Sequence, residues 1–198
     1  MLPYQLFRPF AYIFIKHPVK RMVDWYLPAI LAVMAFILIW PFREGMNLWA
    51  SGGLIASAQG FVQGLPGFYI AALAAVATFG QQTVLDQIIP APTPTLHTNY
   101  SGQWVDMKLS RRRFLCLLFA YLTALSIVLS LFAYYAQAVA LPARSVLAGW
   151  AVEVLSTVAF GIYALFLFQL LVVTLWGLYY LADRMHQPNP YDPPPPSP

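Results

Sequence analysis

Charged side chains are scarce in this sequence: Asp, Glu, Lys and Arg together make up 9 % of its 198 residues, whereas apolar residues make up 60 %. A soluble domain of this length needs a far more highly charged surface, so the composition excludes that class. The apolar residues occur in long uncharged runs, and about 20 helical residues suffice to cross a bilayer. The sequence therefore predicts an integral membrane protein.

Cysteine and histidine are also rare. Cysteine occurs once, at Cys116, which excludes an intramolecular disulfide. The three histidines, His17, His97 and His186, are far apart, and none has the spacing typical of a metal site. No phosphate-binding glycine loop precedes a Lys-Ser or Lys-Thr pair, and the serines of the apolar runs have no His or Lys at matching depth. We therefore expect no enzymatic activity, no metal ion and no cofactor.

Four apolar runs are long enough to span a membrane. They cover residues 25–42, a stretch between residues 48 and 79, residues 114–140 and residues 146–183. A tight turn is predicted at residues 141–145, between the last two runs. The predicted fold is an all-α integral membrane protein with a four-helix membrane domain over residues 25–182.

Three polar segments flank these runs. Residues 1–24 mix aromatic and basic side chains, which is typical of a segment lying in the headgroup layer. The loop at residues 80–113 contains PAPTPT, which breaks any helix. Thr, Tyr, Trp and Val then surround a Ser-Gly turn, which predicts a small β-hairpin. Residues 183–198 form a proline-rich tail, for which we expect polyproline II or disorder.

The basic residues are distributed unevenly along the chain. Four lie in residues 1–24, four in residues 80–113 and one in the tail, so with four spans nine of the eleven fall on one side. An excess of Lys and Arg marks the cytoplasmic side of a membrane protein. We therefore expect both termini and the long loop in the cytoplasm. Because the basic residues flank apolar runs, we expect no direct contact with nucleic acid.

The second run contains unusually many small residues. A ladder of small side chains at near-regular helical spacing consists of Gly52, Ala56, Gly60, Gly64, Gly67, Ala71 and Ala75. Helices in lipid associate through close backbone packing, for which small residues at every fourth position are suited. The ladder can pack against another span of the same chain or against a second copy. Four spans carry little functional apparatus alone, which favours a homo-oligomer.

Three glutamines and one glutamate within the apolar runs are candidate site residues. Gln59 and Gln63 lie one helical turn apart, and Gln169 lies midway along the fourth run. They either form hydrogen bonds between helices or line a polar pathway. Glu153 lies near the outer end of the fourth run, two turns past Arg144. It is either a solvated or Arg-paired interfacial carboxylate, or a group with a ligand-sensing or proton-linked role.

Three consecutive arginines, Arg111, Arg112 and Arg113, precede the third run at its cytoplasmic edge. Anionic lipid headgroups attract such clusters and thereby anchor the topology. The same side chains are also suited to docking an acidic surface of a partner protein.

The elements LPGFYIAALAAVATF, PAPTPTL and LSRRRFLCLLFAYLT, with four spans and both ends inside, resemble the membrane subunit of the Kiwa antiphage defence system. The resemblance covers most of the chain in layout. It implies a homo-oligomeric sensor in the bacterial inner membrane that detects phage attack and works with a cytoplasmic DNA-binding effector. It assigns no functional residue.

We therefore expect a non-enzymatic sensor or scaffold that oligomerises and recruits or regulates a cytoplasmic effector protein. The proline-bearing appendages on one side of the membrane are suited to holding another protein there. The alternative is a small oligomeric channel in which Gln59, Gln63 and Gln169 line a path between subunits.

Overall fold

Four helices are long and apolar enough to cross a membrane. The structure is a computed structural model that describes residues 2–42, 48–50, 52–78, 84–100 and 103–184. Within these residues the four candidate spans are Pro18–Phe42, Leu54–Thr78, Arg111–Ala140 and Gly149–Ala182. The predicted set of four apolar helices is thus confirmed. The expectation for the proline-rich tail concerns residues 185–198, which lie outside the described residues.

The first span begins earlier than predicted. It starts with α2 (Pro18–Arg21), continues through a π-helical turn at Met22–Tyr26 into α3 (Leu27–Ile39), and ends in a 3₁₀ turn. The predicted start at residue 25 is therefore wrong. Proline is suited to the first helical position because a backbone N–H there has no intrahelical partner, so its absence in proline costs no hydrogen bond. As a result, Lys20 and Asp24 lie inside this helix.

The second span is two helices rather than one. α4 (Leu54–Val62) and α5 (Leu65–Thr78) are separated by Gln63 and Gly64. Pro66 explains the break, since its ring lacks an N–H and collides with the carbonyl four residues earlier. Gly52 precedes α4 with a φ of 82°, a left-handed conformation that glycine adopts readily. The first member of the small-residue ladder is therefore not helical, contrary to the prediction.

The third helix extends beyond its predicted end. α6 runs from Arg111 to Val146 and includes Pro142. The predicted tight turn at residues 141–145 is therefore wrong, and the chain reverses instead at Leu147 and Ala148, before α7 (Gly149–Tyr179). A single proline removes one hydrogen bond, and the helix resumes with the N–H of Leu147 bonded to the carbonyl of Ala143 at 3.0 Å. A π-helical turn at Tyr180–Arg184 ends the described chain.

α6 is the central helix of the bundle. It contacts α4, α5 and α7, and also the N-terminal segment (residues 2–17), which contains α1 (Leu2–Leu6) and a 3₁₀ helix at Arg8–Phe14. Leu118 of α6 is fully buried against Gly177 of α7, where an added Cβ would lie 3.0 Å from Leu118 Cδ2. The close approach of these two helices therefore depends on a small residue at position 177.

The predicted hairpin is present. β1 (Thr95–Tyr100) pairs antiparallel with β2 (Gln103–Lys108), with Thr95 opposite Lys108. Lys16 bonds to Thr95 on the other edge of β1, with N–O distances of 2.9 and 3.3 Å. The hairpin is thus attached to the end of the N-terminal segment, immediately before the first span begins.

Candidate functional site

A buried ion pair lies at the start of the first span. Lys20 and Asp24 form a salt bridge one helical turn apart, and only 3 % and 2 % of their surfaces are exposed. Lys20 Nζ also donates to the carbonyl of Ile13 at 3.4 Å. Ionisable groups buried in a membrane domain are costly and commonly mark functional sites, so this pair is the centre of the candidate site.

Tyr12 joins the ion pair to the N-terminal segment. Its hydroxyl donates to Asp24 Oδ1 at 3.1 Å, and Lys20 Nζ lies 4.2 Å from the centre of its ring. Burial, reinforced by the negative charge of Asp24, raises the pKa of Tyr12 well above its ordinary value. The hydroxyl therefore remains protonated and continues to donate to the carboxylate.

Two further side chains extend the network to the third and fourth spans. Gln169 on α7 donates through Nε2 to the backbone carbonyl of Asp24 at 2.9 Å and accepts through Oε1 from Tyr121 on α6 at 2.8 Å. The rings of Tyr121 and Tyr12 stack with their centres 5.1 Å apart. We call these five residues the buried network. It joins the N-terminal segment to three of the four spans.

Of these five residues, the sequence predicts only Gln169 as a polar group within the membrane. The sequence places Lys20 and Asp24 in a headgroup segment because its first apolar run begins only at residue 25, whereas the helix begins at Pro18. Their spacing of four residues was the available signal, since residues i and i+4 are neighbours on a helix. Tyr12 and Tyr121 carried no such signal, because only the tertiary packing brings their rings together.

The other two predicted intramembrane glutamines, Gln59 and Gln63, form separate contacts between the second span and α6. Gln137 Nε2 donates to Gln59 Oε1 at 2.5 Å, and the Tyr134 hydroxyl donates to Gln63 Oε1 at 2.9 Å. Gln137 and Tyr121, the α6 contacts of Gln59 and Gln169, are sixteen residues apart, which is about 24 Å along a helix. The three glutamines therefore do not meet.

The small-residue ladder does not pack against another span within the described chain. Cβ atoms added at Gly60 and Gly67 would meet nothing within 4 Å, and one at Gly64 would meet only the carbonyl of Phe61 at 3.8 Å. Ala71 and Ala75 are exposed, and Ala56 is half-buried. The buried positions of these two helices are instead Ile55, Gln59, Val62, Tyr69 and Val76. Packing among the described residues therefore does not account for most of the ladder.

Glu153 and Arg144 line one cavity at the far end of the bundle from the hairpin. This cavity has a volume of about 530 Å³ and lies between the first and fourth spans, beside Trp40 and Trp49. Trp49 Nε1 donates to Ser156 Oγ at 2.6 Å on its wall. Glu153 and Arg144 therefore share this cavity, and the expected role of Glu153 stays a prediction.

The three consecutive arginines have three different environments. Arg112 forms a two-pronged salt bridge with Asp86, with distances of 2.6 and 3.0 Å, and donates to the carbonyl of Val76 at 2.9 Å. Arg111 is buried, with 4 % of its surface exposed, and Arg113 contacts the sulfur of Met107. Arg112 thereby ties the end of α5 to the start of α6.

The comparisons with known proteins assign neither a family nor a function. No family model, curated protein or solved structure matches the chain. In the part of the chain that the structure describes, no group of three or more His, Cys, Asp or Glu side chains could hold a metal ion. The candidate site is therefore defined by the buried network alone, in a chain whose four apolar helices suggest a multi-pass membrane protein.

The ion pair of the network makes a testable prediction about stability. Replacing Asp24 with Leu leaves Lys20 buried without its counter-charge, which should lower the free energy of unfolding by about 3–5 kcal/mol. Replacing both residues, with Lys20→Met and Asp24→Leu, should recover most of that loss. Unfolding in detergent micelles, followed by circular dichroism, measures both effects.

The matched control is Asp106→Ala, which removes the carboxylate of the exposed His97–Asp106 pair. Exposed pairs contribute little to stability, so this variant should keep the unfolding midpoint of the parent protein. A double variant at Lys20 and Asp24 that is no more stable than Asp24→Leu would contradict the account.

Proposed function

We propose that this chain is a non-enzymatic sensor and scaffold of the bacterial inner membrane that oligomerises and recruits or regulates a cytoplasmic effector protein. The observation that carries the proposal is a small platform, consisting of the N-terminal segment (residues 2–17) and the hairpin (residues 95–108), attached to the spans through the buried network. The resemblance to the Kiwa membrane subunit suggests phage defence as the setting.

Side-chain hydrogen bonds hold the two parts of the platform together. Arg8 donates through Nη1 to the Tyr4 hydroxyl at 2.7 Å and through Nη2 to Thr98 Oγ1 at 2.9 Å. Thr98 is buried, with 3 % of its surface exposed. Together with the backbone pairing of Lys16 and Thr95, these bonds support a rigid surface, which binds a partner with less loss of conformational entropy.

The outer strand of the hairpin has the properties of a binding edge. Among the described residues, β2 pairs only with β1, so its other edge carries unpaired backbone groups. Trp104 and Val105 on this strand are 61 % and 45 % exposed, and the Trp104 ring stacks on His97 at 5.3 Å. Exposed edges accept an extended peptide as an additional strand, and an exposed tryptophan provides an aromatic anchor.

The charge distribution supports a cytoplasmic location for the platform. Residues 1–24 and residues 80–113 together carry eight of the eleven basic residues. An excess of this kind keeps the flanking segments of membrane proteins on the cytoplasmic side. A cytoplasmic effector can reach a hairpin in that location.

The exposed ladder supports a second copy of the chain as its neighbour. The hydrogen-bonded pair of Gln63 and Tyr134 lies beside it on the surface, and Tyr134 is 57 % exposed. The amide of Gln59 is buried, and its Nε2 has no hydrogen-bond partner among the described residues. Polar groups are costly when they face lipid, so a second helix at this surface would both cover the pair and fill the space above the glycines.

The ladder generates a prediction about the oligomer. Leucines at Gly60 and Gly64 should prevent the close approach of a second copy and shift the detergent-solubilised protein towards monomer. Light scattering coupled to size-exclusion chromatography measures the mass. Gly161→Leu is the control, because its added Cβ also meets nothing within 4 Å but lies on α7. An unchanged mass for the Gly60→Leu and Gly64→Leu variant would contradict an interface at the ladder.

The platform generates a prediction about effector binding. Trp104→Ser should weaken binding of the cytoplasmic effector, identified as the protein that co-purifies with the parent chain, by at least tenfold, since removal of an aromatic anchor costs about 2 kcal/mol or more. Co-purification of the two full-length proteins, followed by titration of the effector onto nanodiscs that hold this chain, measures the loss.

Trp150→Ser is the matched control for that titration. Trp150 is 74 % exposed at the opposite end of the bundle, so the same chemical change should leave effector binding intact. Equal affinities for the Trp104→Ser variant and the parent protein would exclude the hairpin as the docking surface.

A further inference from the structure

A second, basic cavity adjoins the buried network where the N-terminal segment meets the first span. It has a volume of about 290 Å³. Its charged and aromatic walls are formed by Lys16, His17, Lys20, Arg21, Asp24 and Trp25. The cavity is therefore continuous with the ion pair at the centre of the network.

The charges around this cavity do not balance. Among the lining residues, the carboxylate of Asp24 is paired with Lys20, which leaves two positive charges, on the exposed side chains of Lys16 and Arg21. Outside the cavity, Asp106 of the hairpin also interacts electrostatically with Lys16. The Arg21 guanidinium carbon lies 5.9 Å from the centre of the Tyr26 ring, a cation–π contact that favours its location at the rim. Two basic groups converging on a concave site are suited to a phosphate.

The surroundings of the cavity indicate that this phosphate belongs to a lipid. Large apolar side chains are exposed on the same short stretch of chain, with Phe14 71 %, Met22 65 % and Trp25 39 % exposed. Tyr26, at the start of the apolar run, is 55 % exposed. Aromatic residues of this kind are enriched at the membrane–water interface, where the headgroups of phospholipids are located.

We propose that this cavity binds the phosphate headgroup of an anionic phospholipid. Lys16 and Arg21 contact the phosphate, and the exposed aromatic and apolar side chains contact the upper part of the acyl chains. Lys20 is part of the same wall, but its ammonium group remains paired with Asp24.

Headgroup binding here acts on the platform, and this part of the inference rests on the proposed function. Lys16 forms the backbone bridge to Thr95 of the hairpin, and the adjacent Lys20 and Asp24 hold Tyr12 of the N-terminal segment. A phosphate bound between Lys16 and Arg21 therefore contacts the junction of the platform and the first span. A change in the lipid around the chain can reach the effector surface through this junction.

The test compares two double variants of the full-length protein. Lys16→Gln with Arg21→Gln removes the two proposed phosphate contacts, whereas Lys108→Gln with Arg144→Gln removes two exposed basic groups elsewhere. Native mass spectrometry of detergent-solubilised protein titrated with phosphatidylglycerol or phosphatidylcholine measures lipid affinity. We expect the parent to prefer phosphatidylglycerol, and the first double variant to bind it about 30-fold more weakly. The second should bind it like the parent.

Three results would overturn the proposal. The first is equal affinity of the parent for the two lipids. The second is an equal loss of phosphatidylglycerol affinity in both double variants. The third is displacement of phosphatidylglycerol by an excess of inorganic phosphate, which would indicate a site for free anions. A circular dichroism melt of each variant identifies any that fails to fold, and the single variants Lys16→Gln and Arg21→Gln then provide the comparison. Effector binding to the Trp104→Ser variant is a separate measurement, so the two proposals can fail independently.

Discussion

Burying Lys20 and Asp24 costs free energy, and this cost determines how the N-terminal segment packs against the helices. Each charge loses several kcal/mol of hydration when it is buried, and their mutual attraction offsets this only if the remaining polar atoms are also satisfied. Tyr12 and the carbonyl of Ile13 supply those contacts to the two charged side chains, and Gln169 bonds to the backbone carbonyl of Asp24. Because these groups come from the N-terminal segment and α7, the ion pair requires the N-terminal segment to pack against the spans.

This requirement links the membrane-spanning part to the platform. If the N-terminal segment left the bundle, the ion pair would lose its contacts with Tyr12 and Ile13. The hairpin is bonded to that segment through Lys16 and Arg8. Arg112 makes a separate link within the bundle, since its salt bridge with Asp86 and its bond to Val76 join the end of α5 to the start of α6. A disturbance among the helices can therefore move the surface proposed to hold an effector.

Hydropathy predicted the four spans because a membrane helix needs a long apolar run, and this requirement is local. The sequence signal for the hairpin was also local, since β-branched and aromatic residues around a Ser-Gly turn favour paired strands. The turn at residues 141–145 was predicted wrongly because a proline near a helix end removes only one hydrogen bond and the chain continued to Val146. The buried network as a whole was not predicted, because it depends on contacts between residues as distant in sequence as Asp24 and Gln169. No local pattern encodes such a contact.

We propose that the platform and the tail lie together on the cytoplasmic side of a chain that crosses the membrane four times. Cysteine labelling in intact cells tests it most directly, in a Cys116→Ser background with Trp104→Cys, Ser197→Cys or Trp150→Cys introduced singly. We expect a membrane-impermeant maleimide to label position 150 in intact cells, and positions 104 and 197 only after the membrane is opened. Labelling of position 104 or 197 in intact cells would contradict it.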